Sequence, residues 1–276
     1  MEPVYFVNGE FLSSSKAALR IDDLALLRGF GIFDFFRTFG GKPFLIDHYL
    51  ERFSNSARLM NLTLPFTKPK IKNIVLELIS RNQFTESGIR IVLTGGYTED
   101  GFTPGYPNFF IKLEPLSYPD KINYDSGIKL VSFEHLREWS QIKSINYLTP
   151  IKIRGDIALK NGYDVLYRFQ GNVLEASRSN FFVVHDGVLA TPRQNVLHGI
   201  TRKTILELSK QMVRVEERDV AFKELAGAEE AFITGTTKRV LPVTCVDNLV
   251  IGSGKVGPTT RKLIKIFRDF EKSTLN

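Results

Sequence analysis

The sequence predicts an α+β fold in two parts, and three observations carry that expectation. Short apolar runs joined by Asn8-Gly9, Gly40-Gly41 and Asp186-Gly187 read as antiparallel hairpins, because these pairs accept the positive φ angles of tight turns. Between the hairpins stand stretches whose apolar residues recur at three-four spacing, the period of a half-buried helix. A segment from Pro115 to Gly127, with two prolines, serine and glycine, reads as a linker between the parts.

Composition narrows the function classes. The 276 residues are 43% hydrophobic and 24% charged, which is enough apolar content for one large core or two smaller ones. A single cysteine, Cys245, excludes an intrachain disulfide and a cysteine-rich metal site. His48, His135, His185 and His198 show no ligand spacing relative to one another, so no metal site is expected. Ser177 and Ser179 lack the setting of a nucleophile elbow. The net charge of +7 comes from basic residues dispersed among acids, which fits anionic small molecules and gives no block for nucleic acid. Met1 to Tyr5 carries neither a basic region nor an apolar run, and no stretch reaches membrane-spanning length. The expectation is a cytoplasmic protein with no membrane partner.

In chain order, Val4–Val7 and Glu10–Leu12 pair across Asn8-Gly9. Two glycines interrupt Ile21–Phe39, and the segment after them is apolar and aromatic enough for a buried strand. Asp47 is placed to cap a helix with Leu50, Phe53, Ala57 and Met60 as its stripe. Arg52 lies beside that stripe, where a helix arginine is ordinarily solvated. A second helix runs from Ile71 to Asn82. Ile89–Thr94 alternates as a strand but carries Arg90, which needs either water or an anionic partner. Gly95–Gly105 is a long glycine-rich loop that reads as a mobile lid or a solvated connection. After the linker come a strand at Ile128–Phe133 and a helix from about Leu148 to Gly162, closed by a left-handed glycine. The short strands beyond it belong to a mainly antiparallel sheet. A helix opens at Leu197–Arg202, and its free N–H groups and Thr201 hydroxyl offer a phosphate site. Thr234–Thr237 is a second turn rich in donors, and an amphipathic helix spans Thr259–Phe270.

One stretch organises the rest: Gln141 to Leu148, where Lys143 precedes Asn146-Tyr147-Leu148, with Glu175–Asn180 downstream. A lysine that condenses with an aldehyde, and a carboxylate that holds a protonated pyridine nitrogen, are what the two ends of pyridoxal 5'-phosphate require.

These residues resemble the fold-type IV pyridoxal phosphate enzymes, which include branched-chain aminotransferases, D-amino acid aminotransferases and aminodeoxychorismate lyases. The resemblance spans nearly the whole chain. Gly29–Asp34, His48–Phe53, Lys143–Leu148, Glu175–Asn180, Gly199–Arg202 and Gly235–Thr237 match six family segments in order. It implies a small N-terminal α/β domain over residues 1–114, a linker at 115–127 and a larger β-rich domain over 128–276, with the cofactor between the domains. It implies a homodimer whose partner completes each site. By the same resemblance Lys143 forms the Schiff base and shuttles the substrate proton, and Glu175 holds the ring nitrogen. Arg52, Ile200, Thr201 and Thr236 bind the phosphate, Tyr147 contacts the ring oxygen, and Thr237 lends its backbone near the substrate carboxylate.

The substrate readers depart from the family patterns. Typical D-amino acid enzymes carry Arg-x-His after the Arg90 strand, and this chain has Asp100-Gly101-Phe102 there. Branched-chain enzymes usually carry a tyrosine before the first glycine of Gly-x-Gly and a Tyr-x-Arg on the later strand. Those places hold Arg28 and Gly88-Ile89-Arg90. Two arginines suit a substrate with one or two carboxylates. The expectation is therefore a transaminase moving an amino group from D-alanine or D-glutamate to 2-oxoglutarate or pyruvate. A branched-chain L-aminotransferase is the alternative, followed by the lyase.

Overall fold

A computed structural model describes residues 2–82, 84 and 86–275, and its contacts divide the chain into two compact units. One holds Met1–Leu116, Ile142–Tyr147 and Leu275; the other holds Ser117–Gln141 and Leu148–Thr274. The segment 115–127, expected to be a linker, mostly belongs to the second unit, where helix α4 (Lys121–Ser126) forms.

The first unit is built on β1 (Val4–Val7), β2 (Glu10–Ser13), α1 (Leu24–Arg28), β3 (Gly31–Phe39), β4 (Lys42–Pro43), α2 (Ile46–Leu59), α3 (Lys68–Asn82), β5 (Gly88–Thr94) and β6 (Phe109–Glu114). Its strands form an antiparallel sheet in the order β2-β1-β6-β5-β3-β4. The Asn8-Gly9 turn takes φ of 48° and 109°, as the hairpin requires. Helix α2 buries Tyr49, Leu50, Phe53 and Ala57, the stripe read from the sequence. Its start differs from that reading. Leu45, in a left-handed conformation, stands at the N-cap, while Asp47 lies in the first turn and pairs with Lys72 of α3. A carboxylate in the first turn still meets the positive end of the helix dipole.

Buried Asp23 joins three elements. Its carboxylate caps α1 through Ala25 N–H and accepts from Thr94 Oγ1 of β5 and from Asn108 Nδ2 ahead of β6, each at 2.7 Å. The loop 95–105 is tied down as well. Gly105 N–H reaches Gly95 O at 2.9 Å, and Thr98 N–H reaches Asp22 O at 3.1 Å. A Cβ added at Gly96 would sit 2.0 Å from Tyr106 O, so two backbone runs meet where only glycine fits. Asp100 accepts from Thr98, Phe102 and Thr103, and those hydrogen bonds hold its carboxyl well below the usual range. The loop is a braced turn, which favours the connection over the mobile lid of the two readings its glycines allow.

The second unit contains α4, β7 (Ile128–Glu134), α5 (Leu148–Lys152), α6 (Arg154–Leu159), β8 (Asp164–Phe169), β9 (Asn172–Ala176), β10 (Ser179–His185), β11 (Val188–Thr191), α7 (Ile200–Ser209), β12 (Arg214–Glu217), β13 (Val220–Ala221), β14 (Glu230–Gly235), β15 (Arg239–Val246), β16 (Leu249–Val250) and α8 (Pro258–Ser273). Strands β10, β14, β15, β7, β8 and β9 pair in sequence, and the β9–β10 pairing closes them into a ring. Leu130, Leu166, Val173, Phe181, Ile233 and Leu241, one from each strand, share the buried cluster that fills the ring. Outside it, Phe182 and Phe232 stack at 4.9 Å. Glu230 of β14 accepts from Thr259 and Thr260 N–H, capping α8 from the sheet.

The single helix expected over 148–162 is two short ones that break at Ile153, with Gly155 weakening any continuation. Asn161 takes the left-handed turn (φ 54°) that was assigned to Gly162. Gly162 is needed for space instead, since a Cβ there would lie 2.5 Å from Val131. Among the described residues no helix is long and apolar enough to cross a membrane, and no cluster of His, Cys, Asp or Glu could hold a metal.

Removing the Asp23 carboxylate orphans buried donors on three elements. Asp23→Ala should cost about 2–4 kcal/mol, read as a fall in the denaturant midpoint; an unchanged midpoint would show that the carboxylate does not brace this unit.

Candidate active site

In the first unit the lysine segment is stitched to β3. Phe33 N–H donates to Lys143 O at 2.9 Å, Ile145 N–H donates to Gly31 O at 3.1 Å, and Ile32 bridges Ser144. Gly31 is glycine because a Cβ would press on Leu93 O at 2.9 Å and on the Ile145 side chain at 3.1 Å. Lys143 Nζ stands 4.5 Å from the centroid of the Phe33 ring, and Tyr147 meets the same ring edge-on at 5.7 Å.

Arg52 is not the solvated helix arginine of its sequence setting. Asp34, fully buried in β3, accepts its Nη2 at 2.6 Å and its Nε at 2.9 Å, a fork-to-carboxylate pair. Burial opposes the guanidinium charge, but Asp34 outweighs it and holds Arg52 above its ordinary value, with Tyr49 and Tyr147 adding to the effect. Alternation along β3 puts Asp34 and Phe33 on opposite faces.

The two substrate-reader candidates have different surroundings. Arg90 is half-buried, lies over the rings of Phe33 and Phe35, and forks onto Glu114 at 2.6 and 3.1 Å. Burial opposes the charge of Glu114, yet the bonds from Arg90 and Lys112 hold its carboxyl below the usual range. Arg28, at the exposed end of α1, donates to Leu27 O at 3.0 Å and has no carboxylate partner among the described residues. It faces the braced loop: a Cβ at Gly101 would lie 3.7 Å from its Nη2.

In the second unit, Glu175, Asn180 and the approach to α7 form one hydrogen-bonded group. Glu175 Oε2 accepts from Leu197 N–H at 3.0 Å and from Asn180 Nδ2 at 3.4 Å; Asn180 also donates to Leu197 O at 2.7 Å. Glu175 Oε1 accepts from Arg137 Nε at 2.8 Å, and Arg137 Nη2 donates to Ser140 O at 2.6 Å. The sequence reading missed Arg137. Its only signal there was chemical: a buried carboxylate demands a cation, and an arginine stands six residues before Lys143.

Gly199 is the N-cap of α7 and a Cβ there would lie 2.1 Å from Asn180 Oδ1, so the helix start can approach this group only as glycine. Gly199 offers no capping side chain, and the first-turn N–H groups at Ile200 and Thr201 lie beyond the reach of intrahelical acceptors. Burial, then Arg202, lowers the pKa of His198 just ahead of them. Arg202 itself donates to Pro192 O and pairs with Glu217, a bracing role. Thr236 and Thr237 sit half-buried in the β14–β15 turn. Thr234, opposite Asn180 across the β10–β14 ladder, has a buried hydroxyl without a hydrogen bond among the described residues. Free backbone donors and hydroxyls suit a phosphate, and an oriented carboxylate suits a protonated ring nitrogen. The residues of this unit fit pyridoxal phosphate.

Comparison with known proteins points the same way. The family model "Amino-transferase class IV" matches residues 31–246. A Methanocaldococcus jannaschii protein, provisionally named a branched-chain-amino-acid aminotransferase, is 32% identical over 96% of this chain and 95% of its own. The D-alanine aminotransferase of Staphylococcus haemolyticus is 30% identical over 97% and 98%. The Escherichia coli branched-chain amino acid aminotransferase superposes with a TM-score of 0.90 at 23% identity, covering 98% of this chain and 94% of that one. The branched-chain aminotransferase of the archaeon Thermoproteus uzoniensis, solved with norvaline, gives 0.88 at 23% identity, covering 98% and 95%. The chain belongs to the class IV aminotransferases, enzymes that use pyridoxal phosphate to move amino groups between amino and 2-oxo acids.

Proposed function

We propose that this aminotransferase acts on D-amino acids, D-alanine and D-glutamate, with 2-oxoglutarate or pyruvate as acceptor. The observation that carries the reading is Arg28, an exposed guanidinium with no carboxylate partner among the described residues, standing where branched-chain enzymes usually carry a tyrosine. A bare arginine attracts a second substrate carboxylate and repays it better than a branched apolar chain. Similarity to D-alanine aminotransferases along nearly the whole chain supports the same choice. Arg90 is the second reader, and the Glu114 pair sets its direction until a substrate carboxylate competes for the fork.

When bound, pyridoxal phosphate supplies an electrophilic carbon and a ring that stabilises negative charge at the substrate Cα. Lys143 holds the cofactor through Nζ and then moves the proton at the substrate Cα. Glu175, its carboxylate aimed by Arg137, Leu197 and Asn180, keeps a proton on the ring nitrogen. The Ile200 and Thr201 donors, with Thr236 and Arg52, bind the phosphate; Asp34 fixes the plane of the Arg52 guanidinium. Tyr147 contacts the ring oxygen, and Thr237 presents backbone to the substrate carboxylate. The working form in this reading is a homodimer with each site completed by the partner. Exposed Leu26, Phe102 and Tyr106 in the first unit and Trp139, Leu148 and Ile151 in the second supply apolar surface for it.

A branched-chain L-aminotransferase is the second reading, favoured by the Methanocaldococcus jannaschii relative. Single-turnover spectra decide between the two. D-Glutamate and D-alanine should discharge the visible absorbance of the holoenzyme and L-leucine should not; the reverse preference transfers the assignment. Arg28→Ala should raise KM for D-glutamate by about tenfold while the cofactor stays bound. Unchanged KM would remove Arg28 from the substrate site. Lys143→Ala should lose the transamination half-reaction altogether. Asp34→Ala should cost about 3–5 kcal/mol by stranding a buried guanidinium, measurable by chemical denaturation.

A further inference from the structure

A lysine in a three-residue hairpin turn ordinarily reaches into water. Lys238 does not. It occupies the turn Thr236–Lys238, closed by the Gly235–Arg239 pair of β14 and β15, yet its side chain is 8% exposed. Nζ lies 4.0 Å from Oδ2 of Asp164, the first residue of β8, itself buried. Asp164 Oδ1 accepts from Ser177 Oγ at 2.6 Å and from Val165 N–H at 2.8 Å. Asp164 Oδ2 makes no hydrogen bond among the described residues, so the ammonium is the group that compensates it. Tyr124 of α4 donates its hydroxyl to Lys238 O at 3.0 Å.

These contacts converge on the two turns assigned to the cofactor. Ser177 lies in the β9–β10 turn between Glu175 and Asn180, and Lys238 directly follows Thr236 and Thr237. One carboxylate therefore ties the turn beside the ring carboxylate to the turn that offers phosphate donors. We propose that Asp164 and Lys238 are a positioning pair for pyridoxal phosphate, setting the Thr236–Thr237 turn against the Glu175–Asn180 turn and balancing the charge beside the turn that would hold its phosphate. The proposal rests on the reading that Thr236 binds that phosphate.

A purely structural role predicts something different. Replacing both partners of a buried ion pair with uncharged side chains of similar volume is often neutral for stability, whereas removing one partner strands the other. A positioning role predicts that such a replacement keeps the fold and loses cofactor affinity.

The pair also carries a pH signature. Burial pushes the Lys238 ammonium down to about 8, opposed by Asp164 and reinforced by Arg178 of the β9–β10 turn. Two tyrosines beside the pair stay neutral in that range. Burial raises the Tyr124 hydroxyl to about 12, and burial with Asp164 raises that of Tyr163. Below about pH 8 the protonated lysine offsets Asp164. Once it deprotonates, a bare carboxylate remains beside a turn that must receive a dianion, and binding weakens. Affinity should thus be highest on the acid side and fall as pH rises through that value.

The test measures cofactor dissociation from the holoprotein, by absorbance of released pyridoxal phosphate after dialysis, between about pH 7 and 9. Wild type, the double variant Asp164→Asn with Lys238→Met, Lys238→Arg and Thr236→Val are compared, with thermal melts alongside. The double variant should bind about tenfold more weakly at the acid end, keep its melting temperature because neither charge is stranded, and lose the extra fall above about pH 8. Lys238→Arg, charged throughout, should keep the affinity and hold it to higher pH. If the double variant binds as wild type with the same pH profile, while Thr236→Val weakens binding, the pair has no positioning role and the phosphate reading stands. Undiminished binding by Thr236→Val would overturn that reading and the pair's role with it. Should the double variant fail to fold, Lys238→Arg decides alone: a profile indistinguishable from wild type overturns the proposal.

Discussion

Closure of the six-stranded ring in the second unit is the constraint on which the rest of that unit depends. The closing contact is small: Ala176 pairs with Ser179 and Glu175 with Asn180. Because side chains alternate across a strand, the pairing that sends Phe181 into the filled interior sends Asn180 to the outer face, where it meets Glu175 and the approach to α7. A one-residue slip would turn the amide into the apolar interior and Phe181 out of it. The same alternation puts Thr234 opposite Asn180 and leads β14 into the Thr236–Lys238 turn. Core packing and the aim of the polar group are consequences of a single register.

The first unit solves a different problem. Its catalytic candidate lies far from the sheet in sequence, and backbone bonds from β3 to Lys143 and Ile145 draw that segment in. Those bonds need a strand with no side chain at Gly31. On the opposite face of the same strand, Asp34 orients Arg52. The costs of burying these two ions are met by one another, as a fork geometry allows.

In the proposed reading, chemistry and specificity fall to different side chains. The groups that suit a pyridine ring and a phosphate are backbone donors, hydroxyls and one oriented carboxylate, all built from rigid elements. The groups proposed to distinguish substrates are two arginines on the first unit, one already paired with Glu114 and one exposed at a helix end. Relatives named for D-alanine and for branched-chain substrates stand at similar identity to this chain, 30% and 32%. Discrimination among amino acids therefore rests on a few side chains that a family resemblance does not constrain.

The α+β class, the hairpin at Asn8-Gly9, the amphipathic stripe of α2 and the six ordered motifs were all legible in the chain, because turn chemistry, periodicity and motif order are local properties. By itself the sequence determined the cofactor and the family, and it placed transamination ahead of the lyase reaction. It misassigned the cap of α2, the continuity of the helix after Leu148 and the role of Gly162, and it left the 95–105 loop open between a lid and a connection, because neighbours distant in sequence outweigh local preference. Tertiary structure alone decided the partners. Arg137 for Glu175, Asp34 for Arg52, Glu114 for Arg90 and Asp164 for Lys238 are pairs separated by 18 to 74 residues. A charge must find its counterion in space, and one-dimensional spacing carries no record of which one it finds.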